Sequence, residues 1–108
     1  MRWRYRVKWD KIPEHMREEL ASYIEMGRRP GGFLRSIVSN NLRGAAVYAD
    51  DVNRHLLFDY VMWITSFAPP GSWGSDERYE AWIKAGGIEG MEKAARQEQD
   101  DDNGTQVD

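Results

Sequence analysis

The sequence contains no cysteine in its 108 residues, and histidine occurs only twice. Disulfide bonds, thiolate nucleophiles and cysteine-ligated zinc are therefore excluded. His15 and His55 lie far apart in the chain, and neither belongs to a metal-binding spacing such as HExxH. No serine lies in the Gly-x-Ser-x-Gly context of a hydrolase nucleophile. We therefore expect a protein that is not an enzyme and that uses no metal and no cofactor.

Long apolar runs are also missing. The longest apolar-rich segment, residues 56–68, is thirteen residues long and contains Asp59, whereas a membrane-spanning helix needs about 20 apolar residues. This segment is therefore predicted to be a buried helix. The first thirty residues contain no continuous apolar stretch, which argues against a secretory signal. We expect a soluble, cytoplasmic protein that has no membrane partner.

The net charge of −3 is distributed unevenly along the chain. Residues 1–12 carry five basic side chains against Asp10, a balance of +4, whereas residues 98–108 carry five acidic side chains and no base, a balance of −5. This distribution argues against polyanion binding by the whole protein and leaves a local basic face open. We expect one globular domain over residues 1–97, burying roughly 65% of the surface of the unfolded chain, and a disordered acidic tail over 98–108.

Apolar residues at helical spacing predict a mainly α fold, a small bundle of four to five helices over residues 12–97. Glycine, proline and capping residues set the expected bounds, with Asp50 and Ser75 as N-caps. The helices are predicted from Pro13 to Gly27, from Phe33 onward with a break near Asn40 and Asn41, from Asp51 to about Phe67, from Ser75 to Gly86, and over residues 89–97.

Residues 2–9, RWRYRVKW, alternate strictly between cations and apolar side chains. The cations are Arg2, Arg4, Arg6 and Lys8, and the positions between them are Trp3, Tyr5, Val7 and Trp9. This alternation predicts one N-terminal β-strand with a buried aromatic face. Because a single strand leaves its backbone groups unpaired, we expect it to pair with the strand of a second copy in a dimer or higher homo-oligomer. The basic strand either binds an anion with its cations or leaves them solvated.

The turn between the first two predicted helices, GRRPGGFL, is a candidate ligand site. Glycines allow close approach of the backbone, and the two arginines add positive charge, which together favour an anion. A helix C-cap followed by a Pro-Gly turn explains the same residues without a ligand. The ligand-binding residues predicted here are Arg28, Arg29, Gly31, Gly32 and Phe33.

Two further segments supply candidates for the same site. Asn40, Asn41 and Arg54 suit the hydroxyls, base edges and phosphate of a nucleotide. Trp73 lies in the loop PPGSWGS, where it either packs into the core or closes over a ligand. Together with the glycine turn, these residues predict a small, anionic, nucleotide-like ligand.

Residues 12–85 resemble a family of small, largely uncharacterised proteins encoded by bacteriophages and prophages. The resemblance is carried by the motifs HM, YI, PGGFL, NNL, AD, APP, WGS and AW, in that order along the chain. It implies a phage accessory protein that works in the cytoplasm of an infected bacterial cell.

Small phage accessory proteins often act against host defences, and two mechanisms of this kind fit the composition of the chain. One is a sponge, a protein that binds and sequesters a nucleotide-type immune signal without cleaving it. The other is a protein–protein inhibitor that covers a host defence enzyme through acidic and aromatic surface. A structural or replication role in the phage itself is the third alternative. We favour the sponge, because the predicted polar residues are grouped in a way that suits a small anionic ligand.

Overall fold

The computed structural model describes residues 2–105, with side chains for residues 2–99, and in this range the chain forms seven α-helices. Their bounds are α1 Glu14–Met26, α2 Gly32–Val38, α3 Leu42–Tyr48, α4 Asp51–Arg54, α5 Leu57–Phe67, α6 Asp76–Ala85 and α7 Gly87–Thr105. Single turns of 3-10 helix lie at Trp3–Tyr5 and Pro70–Ser72. The prediction of a mainly α-helical fold is confirmed. None of the helices in the described range is long and apolar enough to cross a membrane.

α1 supplies the centre of the hydrophobic core. Met16, Leu20, Tyr23 and Ile24 are buried at helical spacing along one stripe. Burial of each such side chain stabilises the fold by about 1.5–3 kcal/mol. The helix ends where the sequence predicts, at Gly27, whose φ of 67° lies in the left-handed region that glycine adopts without steric cost.

The predicted break in the second helix is confirmed. α2 ends at Val38 and α3 begins at Leu42. Between them Asn40 has a φ of 63°, a left-handed conformation that asparagine tolerates better than most residues. Asn41 caps α3, because its Oδ1 accepts a hydrogen bond from the Gly44 N–H at 3.0 Å. The break lets α3 fold back and pack against α2.

The third predicted helix is divided into α4 and α5. Asp50 caps α4 as predicted, since its Oδ1 accepts a hydrogen bond from the Asn53 N–H at 2.7 Å. α4 then ends at Arg54, and α5 starts three residues later. The buried Oδ1 of Asn53 accepts a hydrogen bond from the Tyr60 hydroxyl at 2.6 Å, which ties the two helices together across the turn. The apolar pattern runs through this turn, so periodicity alone does not reveal it.

α6 and α7 meet at a glycine corner. Ser75 caps α6 as predicted, with its Oγ accepting a hydrogen bond from the Arg78 N–H at 3.1 Å. α6 ends at Gly86, whose φ is 82°, and Gly87 follows with a φ of 68°. This corner brings the start of α7 against the end of α1.

α7 extends to Thr105 and includes residues 98–105 of the segment 98–108, for which the sequence predicts a disordered acidic tail. Strong helix formers, AARQEQ, occupy positions 94–99. They propagate a helix that is already nucleated where α7 packs on α1, so no new nucleation cost arises. The last three residues, 106–108, lie outside the described residues.

The prediction of an N-terminal strand is wrong. Trp3–Tyr5 forms a 3-10 turn, and residues 2–105 contain no β-strand. The indole rings of Trp3 and Trp9 pack on Trp63 of α5, with centroid distances of 5.9 and 4.8 Å. The turn leaves these two rings half-buried against the core, and its backbone needs no partner strand. The expected homo-oligomer paired strand to strand therefore loses its basis.

Two buried polar groups of the core donate to backbone carbonyls. The Tyr23 hydroxyl donates to the Ser72 carbonyl at 2.6 Å, and the Trp82 Nε1–H donates to the Tyr23 carbonyl at 3.0 Å. Burial raises the pKa of Tyr23 above its ordinary value, so its hydroxyl stays protonated. Among the described side chains, no buried nitrogen or oxygen lacks a hydrogen-bond partner.

Candidate functional site

Two of the four N-terminal cations are ion-paired with α1. The carboxylate of Glu25 is 2% exposed, and its Oε1 accepts hydrogen bonds from Arg2 and Arg4 at 2.7 Å each. Arg4 also reaches Glu18 at 2.6 Å. Burial alone would raise the pKa of Glu25, but the hydrogen bonds and charges of the arginines outweigh it and hold that pKa below its ordinary value. These two cations thus stabilise the fold.

The other two cations, Arg6 and Lys8, are exposed. Arg6 borders a cleft of about 280 Å³ that is lined by Arg2, Trp3, Arg6, Glu25, Ile88, Glu89 and Glu92. Three carboxylates oppose two guanidinium groups in this cleft, a balance that disfavours an anionic ligand.

The glycine turn holds one of the protein's own carboxylates. The Gly31 N–H donates to Glu19 Oε1 at 2.6 Å. The guanidinium of Arg29 forms a two-pronged ion pair with Glu80, at 3.2 and 3.0 Å. Acidic side chains of α1 and α6 therefore occupy the positions that the sequence suggested for a bound anion.

Three further predicted ligand residues lie apart from one another. Phe33 is buried in the core, where its ring contacts Tyr60 at a centroid distance of 5.0 Å. Arg28 is exposed just after α1. Arg54 lies in α4, 3.8 Å from Asp51.

A polar cleft of about 370 Å³ brings two predicted ligand residues, Gly32 and Asn41, together. Its volume falls in the range of about 300–1,000 Å³ that is typical of small-molecule sites. α2, α3 and the start of α6 supply its lining, which consists of Gly32, Arg35, Ser36, Ser39, Asn41, Tyr48 and Asp76. We call this feature the polar cleft.

The polar cleft offers hydrogen-bond donors, acceptors and an aromatic ring. Because the Asn41 Oδ1 caps α3, its Nδ2 remains as a donor toward the cleft. Ser36 Oγ donates to the Gly32 carbonyl at 2.7 Å and keeps its lone pairs as acceptors. Tyr48 is 65% exposed, and its ring lies against Gly32, where an added Cβ would approach it to 3.1 Å. An exposed ring at the edge of a polar cleft suits stacking on a base.

The charges in the polar cleft are one cation and one carboxylate. The side chain of Arg35 is 51% exposed and lies 3.8 Å from Asp76, the long range for an ion pair. Its guanidinium also lies over the ring of Tyr79, 5.3 Å from the centroid. The contact with the ring orients Arg35, while its exposed donors can bind a phosphate or carboxylate oxygen.

Sequence reasoning missed Arg35, Ser36, Ser39, Tyr48 and Asp76. A usable signal exists for the first three, since positions 32, 35, 36 and 39 follow the i, i+3, i+4, i+7 spacing of one helix face. This face carries glycine, arginine and two serines, of which Ser36 is itself buried, and the buried Leu34 and Val38 lie on the opposite side of the helix. Tyr48 and Asp76 reach the polar cleft only through the tertiary fold.

The other two predicted ligand residues, Asn40 and Trp73, lie on a second, mainly apolar groove of about 220 Å³. The Trp73 Nε1–H donates to the Ala68 carbonyl at 3.3 Å, and the half-buried ring forms one wall. Ile37, Val61, Ile64, Thr65 and Gly74 complete the lining. We call this feature the apolar groove. It lies beside α5 and lacks the charges that a nucleotide needs.

Within residues 2–99, whose side chains are described, no group of three or more His, Asp or Glu side chains is placed to hold a metal ion. Comparisons of the chain with protein-family models, with curated proteins and with solved structures found no match.

Proposed function

We propose that this protein is a non-enzymatic sponge that binds and sequesters a small nucleotide-type signalling molecule in the polar cleft. The observation that carries the proposal is the polar face of α2, where Arg35 and two serines meet the exposed ring of Tyr48 in one cleft. Following the resemblance to phage accessory proteins, we propose that this activity serves counter-defence inside an infected bacterial cell.

The charge of the polar cleft narrows the class of ligand. Arg35 can bind one phosphate group, whereas Asp76 would repel a second one nearby and instead suits a ribose hydroxyl or an exocyclic amino group. The ring of Tyr48 supplies a surface for a base. We therefore expect a ligand with a base, sugar hydroxyls and singly charged phosphates, such as a cyclic nucleotide, rather than a polyphosphate chain.

Thermal unfolding with a panel of cyclic and ADP-ribose-type nucleotides tests the proposal. A ligand present at 100 times its dissociation constant should stabilise the protein by about 2.7 kcal/mol. Arg35→Met should abolish this stabilisation, because it removes the cation of the polar cleft. Arg28→Met is the matched control, since Arg28 is an exposed arginine that does not line the polar cleft. If no nucleotide stabilises the protein, or if both variants lose the stabilisation equally, the polar cleft is not a nucleotide site.

A second candidate function is the protein–protein inhibitor. The observation that favours it is the exposed apolar surface on α3 and α5, where Leu42 and Phe58 are 71% and 76% exposed. Exposed apolar patches of this kind mark protein-binding surfaces in soluble proteins. Co-purification of a host protein from infected cells, lost on Leu42→Glu, would support this candidate over the sponge.

A further inference from the structure

The outer face of α5 is exposed and carries no charge. Phe58 is 76% exposed, Val61 and Met62 are each 49% exposed, and Thr65 follows on the same side. Their spacing of i, i+3, i+4 and i+7 places them in one stripe, which we call the α5 face. The opposite side of α5 is buried in the core through Tyr60, Trp63 and Ile64. A helix that is apolar on both sides is normally covered on both sides.

The apolar groove adjoins one end of the α5 face. Thr65 and Val61 belong to both features, and the ring of Trp73 forms the far wall. The groove volume is about 220 Å³. Cavities of about 150 Å³ hold a benzene molecule in other proteins, so the apolar groove can accommodate a phenyl ring.

The α5 face is complementary to itself. Phe58 projects at one end of the stripe, and the apolar groove opens beside Thr65 at the other end. Both positions are equally far along the helix from the midpoint between Val61 and Met62. A two-fold axis through that midpoint pairs two α5 helices in antiparallel fashion. It then sets Phe58 of each copy at the level of the apolar groove of the other.

We propose that the α5 face is covered by a second copy of this chain, with each Phe58 ring inserted into the apolar groove of the partner. The absence of charge supports this occupant, because the residues at the two-fold axis, here Val61 and Met62, meet their own copies, and like charges there would oppose each other. Phenylalanine and methionine are also enriched in such interfaces. This pairing involves α5 and is independent of the strand pairing that the fold excludes.

The interface is small. The 11 residues of α5 span about 16 Å, which places the contact near the lower end of the size range for specific interfaces. We therefore expect a dimer that dissociates on dilution, with the inserted Phe58 as its principal contact.

Sedimentation over a dilution series from about 300 to about 1 µM, where a micromolar interface dissociates, tests the proposal. We expect a dimer at the upper end and at least a tenfold weaker association for Phe58→Glu. Tyr5→Glu is the matched control, because Tyr5 is an aromatic residue 66% exposed outside α5. Circular dichroism should show unchanged helix content in both variants. A monomer throughout the series, or a dimer unaffected by Phe58→Glu, would overturn the proposal.

Single-cysteine variants test the position of the axis, since the chain has no cysteine of its own. Met62→Cys should be cross-linked between copies by a short bismaleimide, because Met62 lies beside the proposed axis. Met91→Cys is matched in exposure, at 50% against 49%, but lies on α7 and should stay uncross-linked. Equal cross-linking of the two variants, or cross-linking of Met91→Cys alone, would exclude the α5 pairing.

Discussion

Gly27 and Gly87 hold α1 and α7 closer together than any other residue type would allow. Both have positive φ, 67° and 68°. A Cβ added at Gly87 would lie 2.6 Å from the Gly27 nitrogen and 2.7 Å from the Ile24 carbonyl oxygen. These neighbours are backbone atoms, which cannot rotate away as a side chain can. The contact between the two helices therefore depends on the missing side chain.

Gly87→Ala should lower the free energy of unfolding by at least about 2 kcal/mol, since it adds both left-handed strain and backbone overlap. Gly71→Ala is the matched control. A Cβ there would meet the Trp82 ring at 3.6 Å, an ordinary contact, and Gly71 has no positive φ. Its effect should stay within about 0.5 kcal/mol. Urea unfolding of both variants measures the difference, and similar stabilities would show that the corner can relax.

At the scale of the element, local signals explain the helix bounds that the sequence predicts. Asp50 and Ser75 cap the helices that follow them, and Gly27 and Gly86 end α1 and α6 in left-handed conformations. Each of these signals lies within four residues of the helix end that it sets. Helix bounds that depend on such short-range interactions can be predicted from the sequence without knowledge of the fold.

The strand predicted for the N-terminal segment is wrong because the residues that determine the segment's conformation are remote in the sequence. Strict alternation fits a strand, but here the rings pack on Trp63 and the arginines pair with Glu25. Glu25 carries no local mark of burial, since it lies near the end of an amphipathic helix. The same distinction applies to the polar cleft. The spacing of its α2 residues can be recognised in the sequence, whereas the contribution of Tyr48 and Asp76 depends on the tertiary fold.

Arg4→Met should destabilise the protein by about 3 kcal/mol, because it leaves the carboxylate of Glu25 buried with one fewer partner. The side chain of Arg4 is 15% exposed, so water cannot readily take its place as a hydrogen-bond donor to Glu25. Arg6→Met, two residues later at an exposed position, should change stability by less than about 0.5 kcal/mol. Chemical unfolding at neutral pH makes the comparison. Equal stabilities of the two variants would show that the N-terminal segment does not depend on this ion pair.

At the scale of the whole molecule, ion pairs and caps lower the pKa values of several carboxyl groups. A backbone hydrogen bond from Asn53 lowers the pKa of Asp50, and the hydrogen bond with Arg29 lowers that of Glu80. Hydrogen bonds from Ser22 and Arg4 lower the pKa of Glu18. These three groups are solvent-exposed, so the lowered pKa of each contributes little to the free energy of unfolding. Glu25, whose carboxylate is buried, is the group whose protonation should matter most.

The sign of the pH dependence follows from the lowered pKa of Glu25. Above the ordinary carboxyl pKa, near 4.3, the group is ionised in both the folded and the unfolded chain, and the stabilisation by the arginines is fully present. As the pH falls through the folded-state pKa, the carboxyl group is protonated in both states and this stabilisation is lost. We therefore expect the free energy of unfolding to decrease below about pH 4.5.

Urea unfolding at pH 6 and at about pH 3.5, below the ordinary carboxyl pKa, measures the share of this loss that belongs to Glu25. Glu25→Gln should be less stable than the wild type at pH 6, because it removes the charge that the arginines bind, and it should lose less stability on acidification. Glu77→Gln should follow the wild type at both pH values, since Glu77 is exposed and is a member of no ion pair among the described residues. An equally steep loss in Glu25→Gln would assign the acid sensitivity to the exposed carboxyl groups instead.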